Sequence, residues 1–573
     1  AAFHVPAGLA HPLGLGAALL AAALVHAPAV RTFFAQDDAT FLSRAAGIEG
    51  TPWSFARPLS EAITWRALYA AFGLHPLPYH VFLLALHLTA TALVWWIGLA
   101  LLGGPGAATA AATLFGASSI AFTPLHWTSG LVELESTTLA LACFALWLGA
   151  RRRGSASWMA GAALAMLAAV LAKESVLLLP LVLLAAERVR ASGAPDAPRA
   201  RAVWPVAAAV LVWGAAFTAT IGRVKYLGVG AYTMTADPGF LATNVATYLE
   251  WLLRVDVPIR DIVATADSAA WGAAAAMAAL IALAVWLDRR EPRRPAWVGL
   301  AWFGALLLPV VPLSQHTYLY YLYAPWAGMS WLLASLGQRL ARAGRLAARA
   351  ALVLVVAFVA LEARQVRERE RAMSGDFAAD RTVRESTLLR NAMKSLAASG
   401  AATLPAGTPV AFVTPAPVRT SMFSPAGAGE HHVYVPLEAA LRGGETLRLF
   451  HPNLRMLGFA DSLPPAWESA EVYQFDNDGT LRDQGRGARA LANLGYFALR
   501  QQRLEQADAM FRRSRALGDT LPDATFGLII TNSARKDDRA ARAVAAEFLR
   551  RWPNDPRAAT VRQGLAHDTT AAR

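Results

Sequence analysis

Short polar stretches interrupt an otherwise apolar chain, and their side chains are those of group transfer at a charged substrate. Asp37 and Asp38 are adjacent carboxylates after the first apolar run. Two such charges repel, so they call for a metal, a cation or a hydrogen-bonded acceptor to compensate. Either could take or orient the proton of an acceptor hydroxyl, and the pair could equally begin a helix at Thr40. Arg57, followed by Pro58, offers a planar fork for phosphate or carboxylate. His126-Trp127-Thr128-Ser129-Gly130 precedes Glu133 and Glu135, which lie about 200° apart on a helix, so only one can face a given cavity. Lys173-Glu174 breaks the apolar stretch Met166 to Leu184. Its cation could bind a lipid-carrier phosphate, or the pair could neutralise itself within a tight turn. His316 lies in the tyrosine-rich segment Pro312 to Pro325 and could bind substrate or a metal, or serve as an ordinary hydrogen-bonder.

Ionisable groups beside hydrocarbon are costly, so the elements that carry them matter. Hydrophobic residues make up 55% of the 573, charged residues 16%, and mean hydropathy is +0.36. That is too apolar for a soluble chain of this size. About eleven spans are expected, near 12–30, 79–101, 106–122, 131–149, 156–172, 175–187, 203–221, 269–287, 296–312, 318–336 and 349–362, with the first read as a retained anchor. The arginine clusters 151–153, 188–201, 289–294 and 339–349 occupy alternate connections. Positive loops stay cytoplasmic, which puts the connections bearing Asp37, Trp127, Lys173 and His316 on the outer face of the membrane. Much of the +13 formal charge lies in these loops beside anionic lipid, so it does not signal nucleic-acid binding. The single cysteine, Cys143, excludes disulfides within the chain and cysteine-based metal sites.

Two long outer loops are expected. Residues 31–78 contain an amphipathic helix at Ser60 to Phe72. Residues 222–268 carry Arg223, Lys225, Tyr226, Tyr232 and Arg254, with an interfacial helix at Leu241 to Leu253 that places Tyr248 and Trp251 at headgroup depth. After the membrane domain (1–362) a charged helical connector (363–404) leads to a small α/β domain (405–480). Strands are expected there at Pro409–Thr414, His432–Pro436 and Glu471–Phe475, the last followed by a turn at Asn477-Asp478-Gly479. Leu491, Leu494, Gly495, Ala507 and Phe511 then fit the spacing of a tetratricopeptide-like helical repeat, and 481–573 is read as such repeats, suited to a protein partner.

Taken in order, the acidic pair, Arg57-Pro58-Leu59, Tyr79-His80, His87, Trp127-x-Ser129-Gly130-x-x-Glu133, Lys173-Glu174 and Tyr320 to Pro325 resemble the GT-C superfamily of membrane glycosyltransferases. The likeness is to bacterial relatives of protein O-mannosyltransferases that carry C-terminal tetratricopeptide repeats. The resemblance implies a mainly α, polytopic helix bundle in an inner membrane, with its active face and C-terminal region periplasmic. It implies transfer of a sugar from a polyprenyl-phosphate donor to a protein or glycan acceptor. Asp37 or Asp38 would be the catalytic base or acceptor-positioning group, Lys173 would sit near the donor phosphate, and Arg57, His126, Trp127, Glu133, Glu174 and His316 would bind substrate. A divalent metal is compatible with the resemblance but no ligand set is defined. Relatives commonly carry a His-Pro-x-His-x-Glu-like stretch where this chain has Ser118 to Thr123. That departure supports an alternative reading, a catalytically inactive membrane scaffold that holds partners through its repeats. A transporter fits less well, because charges gather at helix ends rather than at mid-membrane.

Eleven spans separate a cytoplasmic start from an external end, so residues 363–573 should lie on the same side as Asp37. Protease added to sealed cells with a permeabilised outer layer should remove that region; its protection would mean a miscounted span.

Overall fold

The computed structural model describes residues 7–48, 57–191, 200–221, 233–253, 268–291, 293–374, 377–413, 436–460, 462–518 and 521–571. It divides into two compact units, Ala1–Arg384 and Glu385–Arg573.

The first unit is a multi-pass helix bundle. Its helices are α1 (Ala7–His26), α2 (Asp38–Ala45), α3 (Trp65–Phe72), α4 (Pro76–Leu102), α5 (Pro105–Gly116), α6 (Phe122–His126), α7 (Leu131–Arg153), α8 (Ala156–Ala172), α9 (Leu179–Ala191), α10 (Trp204–Ile221), α11 (Pro238–Trp251), α12 (Ser268–Asp288), α13 (Pro295–Leu307), α14 (Tyr323–Arg342) and α15 (Arg345–Arg371). A short hairpin, β1 (Met373–Ser374) with β2 (Phe377–Ala378), follows. Each of the eleven expected apolar stretches contains a helix. Among the described residues, five helices are long and apolar enough to cross a membrane, or six if the bent pair Pro105–Gly116 and Ser119–His126 counts as one span. The shortfall has local causes. Pro309 and Pro312 follow the end of α13 at Leu307, α8 is only 17 residues long, and α14, although 20 residues long, is less apolar, with Arg339 and Arg342 in its last turn.

Small residues let these helices approach. A Cβ at Gly328 of α14 would lie 2.4 Å from the Gly299 carbonyl oxygen of α13, and one at Gly299 would lie 2.4 Å from the Gly328 oxygen. Such backbone contact is how helices associate where lipid removes the hydrophobic drive. Where α5 breaks, the freed Gly116 carbonyl accepts from or faces His87 Nε2 at 2.9 Å, and His87 Nδ1 meets the Tyr323 hydroxyl at 2.9 Å. His80 Nδ1 likewise meets the Leu125 carbonyl at 2.9 Å, and Tyr79 donates to Gly73 O at 2.7 Å. These α4 side chains replace hydrogen bonds that a broken helix cannot make for itself. Glu133 and Arg151 stand at opposite ends of α7, about 27 Å apart at ~1.5 Å per residue. Arg151 pairs there with Glu187 of α9 at 2.7 Å, as Arg339 of α14 pairs with Asp288 of α12 at 3.0 Å.

The expected helix at Ser60 to Phe72 begins as a π-helical turn, Leu59–Thr64, and continues as α3. The helix expected at Leu241 to Leu253 is α11, capped by the Asp237 carboxylate. Tyr248 is fully buried within the protein rather than facing lipid. Asn244, one turn earlier, ties the Val311 carbonyl and the Thr317 hydroxyl, which draws this face inward. Arg223, Lys225, Tyr226, Tyr232 and Arg254 lie outside the described residues. Composition places the end of the membrane domain at 362, yet α15 runs unbroken to Arg371. Val366 is buried with Val25, Ala117 and Phe122, so this extension belongs to the first unit.

The second unit follows within α16 (Arg381–Ala398). Its sheet comprises β3 (Thr408–Val413), β4 (Leu454–Ala460), β5 (Glu471–Phe475) and β6 (Leu481–Gly485) in the order β4-β3-β5-β6, the first three parallel and β6 antiparallel. Two of the expected strands are present, with Gly479 at φ 85° in the turn after β5. His432–Val435 lies outside the described residues, and Pro436 begins α17 (Pro436–Leu441). After α18 (Glu445–Phe450), the chain ends in α19 (Gly487–Arg500), α20 (Leu504–Leu517), α21 (Pro522–Ala534), α22 (Asp538–Arg551) and α23 (Ala558–Ala571). Phe511 fills the space left by Gly495 and Gly527, where added Cβ atoms would lie 2.7 and 2.3 Å from its ring.

Gly328→Val should destabilise the first unit by about 1–3 kcal/mol, because the α13–α14 backbones must separate. Gly304→Ala is the control, since nothing lies within 4 Å of its Cβ position. Thermal unfolding in detergent should show a lower midpoint for the first variant alone.

Candidate functional site

The first loop leaves α1 through a 3-10 turn, Ala27–Arg31, and reverses at Gln36, whose φ of 51° lies in the left-handed region. A non-glycine residue there carries strain that surrounding contacts must hold. Gln36 donates through Nε2 to the Thr382 hydroxyl at 2.7 Å. The helical step of about 100° from Asp37 to Asp38 at the start of α2 points the two carboxylates apart. Asp37 is exposed and lines a cavity of about 140 Å³. Asp38 is wholly buried: its Oδ1 accepts from Ser129 N at 2.7 Å and Ser129 Oγ at 2.6 Å, and its Oδ2 from Ala35 N at 2.8 Å. Burial pushes the Asp38 carboxyl up to about 7, against the pull of those donors. Asp38 is therefore a tie between the first loop and the Trp127–Gly130 turn and is absent from the cavity lining.

That turn exists because Gly130 lacks a side chain. A Cβ there would fall 2.5 Å from the Pro124 Cα and carbonyl oxygen, so only glycine allows the chain to fold back on α6. The fold-back places Pro124, Trp127, Ser129 and Gly130 on the cavity wall, and starts α7 so that Val132 and Glu133 follow them. Glu135 turns the other way and accepts from Thr64 Oγ1 at 2.9 Å. Tyr320 and Tyr321 close the wall, with Trp127 edge-on to Tyr320 at 6.2 Å. The Trp127 Nε1–H is buried and has no hydrogen-bond partner among the described residues.

Charge is arranged in crossed pairs. Lys173 ends α8 in extended conformation (φ −161°, ψ 136°), which sends it and Glu174 to opposite sides. Its Nζ is ion-paired with Glu133 and stands 4.8 Å from the centre of the Tyr321 ring. Glu174 instead takes the Arg57 fork, from Nε at 2.8 Å and Nη2 at 2.5 Å. Burial opposes the Glu174 charge, but Arg57 overrides it and holds the carboxyl down at about 2. Arg57 also reaches Glu61, one helical turn on, at 3.4 Å. The self-neutralised Lys173–Glu174 turn is thus replaced by two pairs that each cross to another segment.

Asp37, Arg57, Trp127, Glu133 and Lys173 meet at this cavity from four separate regions of sequence, joined by Phe41 and Glu61. Glu174 stands behind Arg57 rather than on the lining. His126 does not reach the cavity. It is buried, stacked on Phe122 at 3.8 Å, with Nδ1 at the Phe122 carbonyl and Nε2 3.0 Å from Glu370. His316 is also off the lining, edge-on to Tyr318 at 5.0 Å. Sequence reasoning missed Glu61, although its i,i+4 spacing from Arg57 marks a helical pair. It also missed the Asp38 tie, for which no local signal exists. Among the described residues no group of three or more His, Cys, Asp or Glu could hold a metal ion. The Ser118 to Thr123 stretch receives the α15 extension: Ser119 N donates to Glu362 at 2.5 Å, Ser119 Oγ to Gln365 at 2.6 Å, and Arg369 to Thr123 Oγ1 at 3.0 Å.

No family model and no curated protein matches the chain. Solved structures resemble it at low identity. The Archaeoglobus fulgidus oligosaccharyltransferase in its apo form is 13% identical, with 62% of this chain and 56% of that one covered, at a TM-score of 0.41. ArnT from Cupriavidus metallidurans bound to undecaprenyl phosphate is 15% identical, with 81% and 93% covered, at 0.42. The archaeal enzyme tethered to an acceptor peptide containing the NVT sequon is 11% identical, with 70% and 61% covered, at 0.41.

Asp38→Asn should lower stability by about 1–3 kcal/mol, because its NH2 would confront one of the N–H donors. Asp37→Asn should lower the unfolding midpoint less, because that carboxylate is exposed. Thermal unfolding of the two variants in detergent checks the difference, and equal losses would contradict the assigned roles.

Proposed function

We propose that the protein is a GT-C-type glycosyltransferase that moves a sugar from a polyprenyl-phosphate donor to a protein or glycan acceptor on the outer face of the membrane. The observation that carries this reading is one cavity bearing an exposed carboxylate, Asp37, together with the two cations Arg57 and Lys173. Such a set suits a reaction that takes a proton from a nucleophile while negative charge develops on a leaving phosphate. The sugar C1–O bond to phosphate breaks and its electron pair stays on the phosphate. The acceptor oxygen bonds to C1 on the opposite face, and its proton passes to Asp37. Lys173 and Arg57 stabilise the departing charge, while Trp127 and Tyr320 offer an aromatic wall and an indole N–H to the sugar or acceptor. Asp38 and Ser129 hold Asp37 and Trp127 in register across the cavity.

We also assign the outer face from charge: the cavity lies at the Glu133 end of α7, and the arginine cluster 151–153 at its other end. The helices α19 to α23 supply the surfaces on which a protein partner or acceptor would be held.

Lys173→Ala should weaken donor binding by at least ~2 kcal/mol, roughly thirtyfold, because it removes a charge that contacts the ground state. Asp37→Asn should retain binding but lose transfer, and Arg57→Ala should fall between. Lipid-phosphate binding to purified variants and transfer from a radiolabelled lipid-linked sugar measure the two effects. Three variants that match wild type in both would favour a non-catalytic scaffold.

A further inference from the structure

The cavity that is proposed to receive a phosphate holds more negative than positive side chains. Asp37, Glu61 and Glu133 line it against Arg57 and Lys173, and Glu174 stands directly behind Arg57. Neither cation awaits a ligand. Lys173 is paired with Glu133, and Arg57 is engaged in a two-point contact by Glu174 and more loosely by Glu61. An incoming phosphate must therefore exchange with carboxylates already in place.

We propose that Glu133 and Glu174 are built-in competitors of the lipid phosphate, which take back Lys173 and Arg57 after transfer and so expel the phosphate product. This inference rests on the phosphate reading of the cavity. Its chemical reason is the change of charge across the reaction. The donor is a phosphodiester with one negative charge. Once the C1–O bond has broken, the product is a phosphomonoester carrying about −1.5 to −2 at neutral pH. Two cations in a partly buried cavity would hold this product more tightly than the donor, and turnover would stall. Carboxylates that can re-pair with both cations leave neither cation alone, a state that burial makes costly. Glu174, held down at about 2 while Arg57 engages it, is an anion in the paired state, which the phosphate must displace. The geometry assigns the two roles separately: Glu133 serves Lys173 from α7, and Glu174 serves Arg57 from the turn after α8.

The test is binding of undecaprenyl phosphate, a phosphomonoester, to the purified full chain in detergent. Glu133→Gln and Glu174→Gln should each tighten binding about tenfold, because an opposing charge at close range is removed while both cations remain. Lys173→Ala should weaken it, and in that background Glu133→Gln should have little further effect. With a lipid-linked sugar as donor, the two glutamine variants should also show a single-turnover burst followed by a slower steady state. If either glutamine variant leaves affinity unchanged or weakens it while Lys173→Ala still weakens it, the competitor role is overturned and the phosphate site stands. If Lys173→Ala and Arg57→Ala both leave binding unchanged, the phosphate reading itself falls, and this inference with it. Glu174→Gln keeps the test decisive should Glu133→Gln fail to fold, because Glu174 is partly exposed and Glu133 is buried.

Discussion

The site depends on one buried carboxylate. Asp38 accepts three hydrogen bonds, two of them from Ser129, 91 residues away. A carboxylate sealed from water is tolerable only when its oxygens are satisfied, so the first loop cannot shift without leaving it stranded. Through that tie the loop fixes the Trp127–Gly130 turn, and the turn fixes where α7 starts. Glu133 then stands opposite Lys173, while Gln36, held in a strained conformation, delivers Asp37 to the cavity side.

The same demand for satisfaction shapes the bundle around the cavity. Where α5 gives way to α6, carbonyl groups lose their helical partners, and His87 and His80 on α4 supply replacements. The α15 extension repeats the device with Glu362 and Gln365 on Ser119, and with Arg369 on Thr123. Irregular backbone is costly within a membrane, so it gathers where protein can cover it, and that is where a cavity can be lined by loops. Charge obeys a matching rule. Each cation at the cavity has a carboxylate from a different segment, which leaves neither cation unpaired.

Much of this arrangement was legible in the sequence. Apolar stretches of the right length gave a helix at each of eleven places, because hydrocarbon leaves the backbone no other partner than itself. Polar residues at helix ends marked Asp37, Arg57, Trp127, Glu133 and Lys173 as candidates, since such charges are expensive unless used. Local spacing also marked β5 and its Gly479 turn, and the small and large residues that interlock at Gly495 and Phe511.

Tertiary structure decided the rest, because it concerns direction and partner rather than type. Adjacent aspartates are equivalent in sequence; the step of about 100° between them at the start of α2, against the packing around it, makes one a cavity wall and the other a tie. Glu133 and Glu135 differ only in which side of α7 meets the cavity. Lys173 and Glu174 look like a local pair, yet extended backbone separates them, and their partners lie 40 and 117 residues away. His126 and His316 carry the right chemistry but face Glu370 and Tyr318 instead. Side-chain chemistry and apolar periodicity are local properties, which a sequence states directly. Which charge meets which across a folded bundle is set by long-range packing, and no spacing along the chain encodes it.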